Sequence, residues 1–289
     1  MSSKSVVITG AGSGIGRACA VWMAQQRWRV FAGVRDADAG AALRDAAPEH
    51  IVPLVLDVTQ SDQLKAAADT VRDAVGSAGL DGLVNNAAVG WSTPIELVPI
   101  EDLRAHFEVN VFGVVATTQA FAPALRDAAG RIINVSSMAG TITGPLWGAY
   151  TASKFALEAV TDSLRHELQP WGVQTCAVVP GVVRTPLWDK AERASLRAME
   201  RWSARGKALY GPAQHRRLAL DRELAAHDPT DPVQVAQVVH RVLVCERLAA
   251  RYRVGWATKA AAFARWLLPT SVLHGMMRRR LALPPGADS

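Results

Sequence analysis

The stretch KSVVITGAGSGIG (4–16) decides how the rest of the chain is read. Its first half, KSVVITG, is a short run rich in β-branched residues, as in a strand. Its second half, Thr9-Gly10-Ala11-Gly12-Ser13-Gly14-Ile15-Gly16, follows that strand and opens a helical pattern. A glycine-rich turn in this position lets backbone N–H groups and a helix N-terminus hold a pyrophosphate. The same glycines could serve only a tight turn. Their place after a strand, before a helix and at the start of a recurring pattern favours the phosphate reading.

The pattern does recur. Strand-like runs stand at 4–10, 28–34, 50–58, 80–87, 130–137 and 173–180, with helical patterns at 15–27, 61–77, 101–128 and 151–169. Near-continuously apolar strands fit a sheet covered on both faces, and alternation with helices implies parallel pairing through right-handed crossovers. The expected architecture is a doubly wound α/β sheet, which binds ligands beyond the carboxyl ends of its strands where the strand order reverses. The loop after the second strand reads Val34-Arg35-Asp36. An acid there would accept from a ribose 2′-hydroxyl, whereas an arginine would pair with a 2′-phosphate. Arg35 stands nearest the strand end and favours NADP(H) over NAD(H). Asp36, twenty residues after Gly16, keeps the NAD(H) alternative open.

A second motif lies in GAYTASKFA (148–156). Helical spacing puts Tyr150 and Lys154 one turn apart on a shared face, where an ammonium favours ionisation of a neighbouring phenol. An isolated pair of this kind is also compatible with a solvated lysine beside a half-buried ring.

Hydrophobic residues at 49% and charged residues at 20% describe an ordinary globular protein, and no run is long enough to span a bilayer. The N-terminus runs straight into strand with no signal-peptide core, so a cytoplasmic location is expected. Cys19, Cys176 and Cys245 are scattered among apolar neighbours, as buried thiols are, and no histidine pair has ligand spacing, so no metal is expected. Of the net charge of +6, residues 241–280 carry +8, leaving −2 for the remainder. Trp256, Ala260, Phe263 and Leu267 recur at helical spacing in this basic tail. Core or oligomer packing, peripheral contact with an anionic membrane, and nucleic-acid binding are the readings of such a segment, in that order. No nucleic-acid partner is expected. The last residues, PPGADS (284–289), are expected to fray.

TGAGSGIG (9–16), VNNAA (84–88), Asn110 in FEVNVFG, INVSSMAG (133–140), Tyr150-x-x-x-Lys154 and PGVVRT (180–185) stand in the order and spacing of the short-chain dehydrogenase/reductase family, which the chain resembles over about residues 5–185. GAYTASKFALEAVTDSLRHEL and YRVGWATKAAA resemble its retinol- and hydroxysteroid-dehydrogenase-like branch. The resemblance implies a single Rossmann-type sheet of about seven strands with helices on both faces. Residues 1–255 would form the catalytic domain, with a substrate lid at about 186–228, and 256–289 a basic amphipathic extension.

It also implies roles. Tyr150 is the general acid in ketone reduction and the base in alcohol oxidation. Lys154 lowers its pKa and pairs with the nicotinamide ribose, Ser137 hydrogen-bonds the substrate oxygen, and Asn110 holds a water in a proton relay to Lys154. Cofactor contacts carry over to Gly10, Gly12, Ser13, Gly14, Ile15, Gly16, Arg35, Asp57, Val58, Asn86, Tyr150, Lys154, Pro180, Gly181, Val183 and Thr185. The family usually has glycine where this chain has Ala88, which would be strained if that position required positive φ. Trp91, Leu146, Trp147, Leu187 and Trp188 are the candidate pocket residues, suited to a hydrophobic ketone or alcohol.

The expected function is an NADP(H)-dependent oxidoreductase acting on the carbonyl or secondary alcohol of a bulky hydrophobic, steroid- or retinoid-like substrate. The alternatives are an NAD-dependent alcohol dehydrogenase of the same fold and a non-catalytic nicotinamide-binding regulator. A homodimer or homotetramer is expected through the helix at 151–169, where Ala156, Val160 and Leu164 could pack on a second copy.

Overall fold

A computed structural model describes residues 4–227 and 229–281. The segment PPGADS (284–289) lies outside the described residues. The chain runs β1 (Ser5–Ile8), α1 (Gly14–Gln25), β2 (Arg29–Val34), α2 (Ala37–Ala46), β3 (Ile51–Val55), α3 (Ser61–Val75), β4 (Gly82–Asn85) and α4 (Ile100–Phe107). A π turn (Glu108–Phe112) leads into α5 (Gly113–Asp127), then β5 (Arg131–Val135), α6 (Gly148–Leu168) and β6 (Gln174–Pro180). The remaining elements are α7 (Leu187–Glu200), α8 (Ala204–Ala226), α9 (Pro232–Val244), β7 (Arg251–Val254), α10 (Trp256–Leu267) and α11 (Thr270–Arg280).

All seven strands pair in parallel in the order β3-β2-β1-β4-β5-β6-β7. Side chains alternate between the faces of a strand, and both faces are covered. Val6 and Ile8 pack with Cys19, Ala20 and Met23 of α1 and with Val235 and Val239 of α9. Val7 and Phe31 point the other way, toward Leu64 and Val71 of α3 and Phe121 and Leu125 of α5. This is why the strand runs read as continuously apolar rather than alternating. Strand order reverses between β1 and β4, so the loops after Ile8 and Asn85 border the crevice of a doubly wound sheet.

The structure adds elements the sequence patterns left out. α2 begins at Asp36, whose carboxylate accepts the Asp38 N–H at 2.9 Å as an N-cap. β7 is basic and half exposed, a poor match to an apolar strand run. The helix expected at 101–128 is present as one continuous helical run that widens into a π turn around Asn110. Residues 187–226 fold into α7 and α8, and α9 starts as its cap predicts, with Asp231 accepting the Val233 N–H at 2.7 Å. Ala88 is not among the residues with positive φ, so it carries no such strain.

Candidate active site

The glycine turn is held in place by the end of β4. Thr9 Oγ1 accepts the N–H groups of Asn86 and Ala87 at 3.0 and 3.1 Å, and Asn86 Nδ2 donates to the carbonyls of Thr9 and Gly10. Gly10 adopts φ +64°. A Cβ on Gly16 would stand 2.3 Å from the Gly10 carbonyl oxygen, so only glycine fits there. Ser13 precedes α1 with extended backbone and no side-chain cap, and the first turn carries no acid. The amides of Gly14, Ile15 and Gly16 therefore open α1 with the positive end of its dipole and without a protein acceptor from the cap. That is a chemical fit for a dinucleotide pyrophosphate. Gly12 lies beside Val34 at the end of β2, and Gly14 lies against Thr185, which brings the segment after β6 (Pro180, Gly181, Val183, Thr185) to the same turn.

At the end of β2, Arg35 is exposed, while Asp36 is engaged as the cap of α2. Asp57 Oδ1 accepts from both the N–H and the hydroxyl of Thr59, and the Asp57 N–H donates to Gln63. This acid builds a turn ahead of α3, and its neighbour Val58 is buried against Gly113.

Residues 86–91 carry the connection from the turn to the tyrosine. Asn110 is fully buried and clamps this segment, its Oδ1 accepting the Val89 N–H at 2.9 Å and its Nδ2 donating to the Val89 carbonyl at 2.8 Å. The second Nδ2 hydrogen reaches Ser153 Oγ, which donates to the Tyr150 carbonyl. Both amide hydrogens of Asn110 are used in holding this segment against α6, so the side chain clamps Val89 to Ser153. Gly90 lies on the Tyr150 ring, where a Cβ would come within 2.6 Å of Cδ2. Sequence reasoning passed over Gly90, and its proximity to the candidate tyrosine is visible only in three dimensions.

Tyr150, Lys154 and Ser137 converge at the carboxyl ends of β4 and β5. Ser137 opens a short 3-10 turn (Met138–Gly140), with its Oγ accepting the Ala139 N–H at 3.1 Å. Ser136 is buried and its hydroxyl lies near Gly140. Lys154 is buried, 5.9 Å from the Tyr150 ring centroid, and donates to the Val135 carbonyl at 3.1 Å. Burial pushes the Tyr150 phenol above its ordinary value, and Ser137, hydrogen-bonding it, pulls the other way. In the protein alone, burial outweighs the lowering expected from the tyrosine–lysine pair. Burial also brings the Lys154 ammonium down to about 8, against the carboxylate of Glu158, which holds it up.

Glu158 extends the face of Tyr150 and Lys154 by one more turn. It is buried, accepts Arg251 Nε at 2.7 Å, and shares that arginine with Asp162. We expect Glu158→Gln to lower the Lys154 pKa further, because the carboxylate that favours the ammonium is gone. The alkaline limb of the pH–rate profile then moves to lower pH, and activity above about pH 8 falls several-fold while activity on the acid side of neutrality is retained. Glu158→Asp restores the limb. A limb identical in wild type and Glu158→Gln removes Glu158 from this role.

A cavity of about 260 Å³ adjoins the tyrosine through Trp147, whose ring lies 5.0 Å from that of Tyr150 and 6.5 Å from Trp188. Trp147, Trp188, Ala191, Leu218 and Ala225 supply apolar wall, and Asp189, Glu192, Asp221 and Arg222 supply charge, so the lining is more polar than the tryptophans suggest. Trp91, Leu146 and Leu187 are not in that lining. Trp91 stacks on buried His106 at 3.9 Å, Leu146 packs with Ala213 and Leu281, and Leu187 is exposed. Sequence reasoning missed Asp221. It accepts the Trp147 indole N–H at 3.4 Å and pairs with Arg217, tying α8 to the residue beside the tyrosine.

Cys19 and Cys176 are buried free thiols pushed up to about 12 by desolvation, and Cys245 is half-buried. Among the described residues, no three His, Cys, Asp or Glu side chains group as a metal site would, and no helix is long and apolar enough to cross a membrane.

A seven-stranded doubly wound sheet with a glycine-rich turn after its first strand and a serine–tyrosine–lysine cluster defines an NAD(P)-dependent oxidoreductase acting on CH–OH and C=O groups. The chain belongs to the short-chain dehydrogenase family, which residues 4–195 match. Estradiol 17-beta-dehydrogenase 2 of Mus musculus is 39% identical over 68% of this chain and 54% of its own length, so the match spans about half of that protein. The 17-beta-hydroxysteroid dehydrogenase type 6 of Bos taurus is 33% identical over 99% of this chain and 92% of its own. Retinol dehydrogenase 16 of Homo sapiens is 31% identical over 96% and 88%. These likenesses put the chain in the retinol- and steroid-dehydrogenase-like branch. Among solved structures, a short-chain dehydrogenase from Burkholderia cenocepacia in complex with NADP aligns with a TM-score of 0.72 at 25% identity, over 98% of both chains. One from Burkholderia phymatum in complex with NAD aligns at 0.74 and 28%, over 98% of this chain and 96% of that one.

Proposed function

We propose that the protein interconverts a ketone and a secondary alcohol on a bulky hydrophobic, steroid- or retinoid-like substrate, with NADP(H) as cofactor. The observation that carries this reading is the convergence of Ser137, Tyr150 and Lys154 on a glycine turn to which residues 86–91 physically join them. When bound, a nicotinamide would supply or accept the hydride and, when oxidised, add a positive charge. The chain's residues handle the proton. Tyr150 donates it to the substrate oxygen in reduction, Ser137 hydrogen-bonds that oxygen as charge develops, and Lys154 stabilises the phenolate left behind. Gly10 to Gly16, Asp57, Val58, Asn86 and the Pro180–Thr185 segment would hold the dinucleotide. Trp147 and Trp188 would flank the substrate, with α7 and α8 as its lid.

The preference for NADP(H) rests on Arg35 being exposed at the strand end while Asp36 is engaged as the α2 cap. We expect Arg35→Asp to weaken NADPH binding by at least about tenfold and to raise the relative use of NADH, because a charged partner of the 2′-phosphate is replaced by a repelling acid. Calorimetric titration with each cofactor checks this, and an unchanged preference removes the assignment. A homo-oligomer is part of the same reading, with exposed Phe155 on α6 and exposed Phe112 as candidates for its interface. The overall test is a screen of hydrophobic ketones and alcohols with all four nicotinamide forms, following absorbance of the reduced ring. Turnover of none of them, or turnover unaffected by loss of the Tyr150 hydroxyl, defeats the proposal.

A further inference from the structure

We propose that α10 and α11 form a docking surface for an anionic lipid bilayer. The observation behind it is an inversion of the usual arrangement. An amphipathic helix ordinarily turns its apolar stripe toward the core. In α10 the residue fully withdrawn from solvent is Thr258, whose hydroxyl is spent on the carbonyls of Val254 and Gly255. The large apolar side chains are exposed instead: Trp256 is 75% exposed, Phe263 59%, Trp266 80% and Leu267 57%. Phe263 and Trp266 lie together on this exposed side, with ring centroids 5.9 Å apart. α11 continues the surface with exposed Val272 and Met276.

Charge identifies the occupant. From Arg247 to Leu281 the sequence contains no aspartate or glutamate. Lys259 lies four residues before Phe263 and seven before Trp266, on the same side of α10, and is exposed, as is Arg265. Interleaved tryptophan, phenylalanine and basic side chains match the boundary between headgroups and acyl chains, where the rings sit at the interface and the cations pair with anionic lipids. A second copy of the chain fits worse, since a two-fold contact through this face would set one basic surface against another. Nucleic acid would meet the cations but leave Leu267, Val272 and Met276 without a partner.

The surface also has a structural link to the candidate site. Met277 Sδ lies 3.1 Å from where a Cβ on Gly144 would stand, and Leu281 packs with Leu146, so α11 rests on the loop that leads to Trp147 and Tyr150. The docking proposal goes beyond the catalytic reading and stands independently of it.

The test uses the full chain in flotation with vesicles of phosphatidylcholine alone and of phosphatidylcholine with phosphatidylglycerol. The expected result is binding to the anionic vesicles, weakened by salt and at least about tenfold weaker to the neutral ones. Phe263→Ala with Trp266→Ala, and separately Lys259→Glu with Arg265→Glu, should each lower binding by on the order of tenfold or more, with thermal melting unchanged. The charge-reversed pair keeps the aromatic face, so it answers for the first pair should that one misfold. Absence of binding to either vesicle overturns the proposal, as does binding that neither pair alters. So does a dimer in lipid-free sedimentation that Phe263→Ala with Trp266→Ala dissociates, or DNA retention that Lys259→Glu with Arg265→Glu abolishes while vesicle binding persists.

Discussion

Tyr150→Phe is expected to reduce kcat by about 10²–10⁴-fold, the range that a positioned proton donor contributes. The substitution removes one oxygen and leaves the ring, which is held between Gly90 on one side and Trp147 at 5.0 Å. Folding and cofactor affinity should therefore change little, and the loss should fall on turnover. Ser137 keeps its own bond to the Ala139 N–H, so the oxyanion donor stays in place and accounts for residual activity. Steady-state kinetics with a hydrophobic ketone, paired with a dinucleotide titration of the same variant, separates the two effects. Retained turnover would mean that the proton comes from elsewhere.

Gly16→Ala is expected to weaken dinucleotide binding by about 5- to 150-fold, from an overpacking strain of about 1–3 kcal/mol. Its new carbon would face the Gly10 carbonyl oxygen at 2.3 Å and Asn86 Nδ2 at 2.5 Å. The first of these is backbone and cannot swing aside. Relief requires the turn to separate from α1 or Asn86 to release the Thr9 and Gly10 carbonyls, and either movement spoils the arrangement of amides that would face the pyrophosphate. Gly275→Ala is the control, because nothing lies within 4 Å of its added carbon. Calorimetric binding and thermal melting of both variants check the expectation, and wild-type affinity in Gly16→Ala would show that the turn does not bear on the cofactor.

Lys154 gives the stability of the fold its own pH dependence. Its pKa lies at about 8 in the folded protein against 10.5 for the free side chain, so between these values the unfolded chain holds more protons. This group therefore adds stability as pH rises through that window and penalises folding below it.

What could be read from sequence follows from what each motif depends on. The glycine turn, the apolar strands and the tyrosine–lysine pair are local patterns, and the structure assembles them as alternation and spacing imply. β7 escaped because Arg251 and Arg253 interrupt its apolar character, although Arg251 is there to bridge Glu158 and Asp162. α2 escaped because Asp36 could be weighed as a cofactor ligand, and only the Asp38 N–H reveals it as a cap. The pocket was the least legible part. Large side chains near a motif do not say which way they face, so Trp147 and Trp188 line the cavity while Trp91 turns to His106. For α10 the helical periodicity of Trp256, Phe263 and Leu267 was legible, but periodicity alone does not say whether such a stripe meets the core or faces outward, and here it is exposed.

The π turn at Glu108–Phe112 has a bearing on how this protein can vary. An α-helix advances about 100° per residue, so the extra residue held in that turn offsets the rotational phase of α4 from that of α5. Deleting one of the residues flanking Asn110 in this turn would regularise the helix and at the same time disturb the register of Asn110 with Val89 and Ser153. Point substitutions on the outer face of this segment should be absorbed readily, whereas single-residue insertions and deletions should not, whatever their composition.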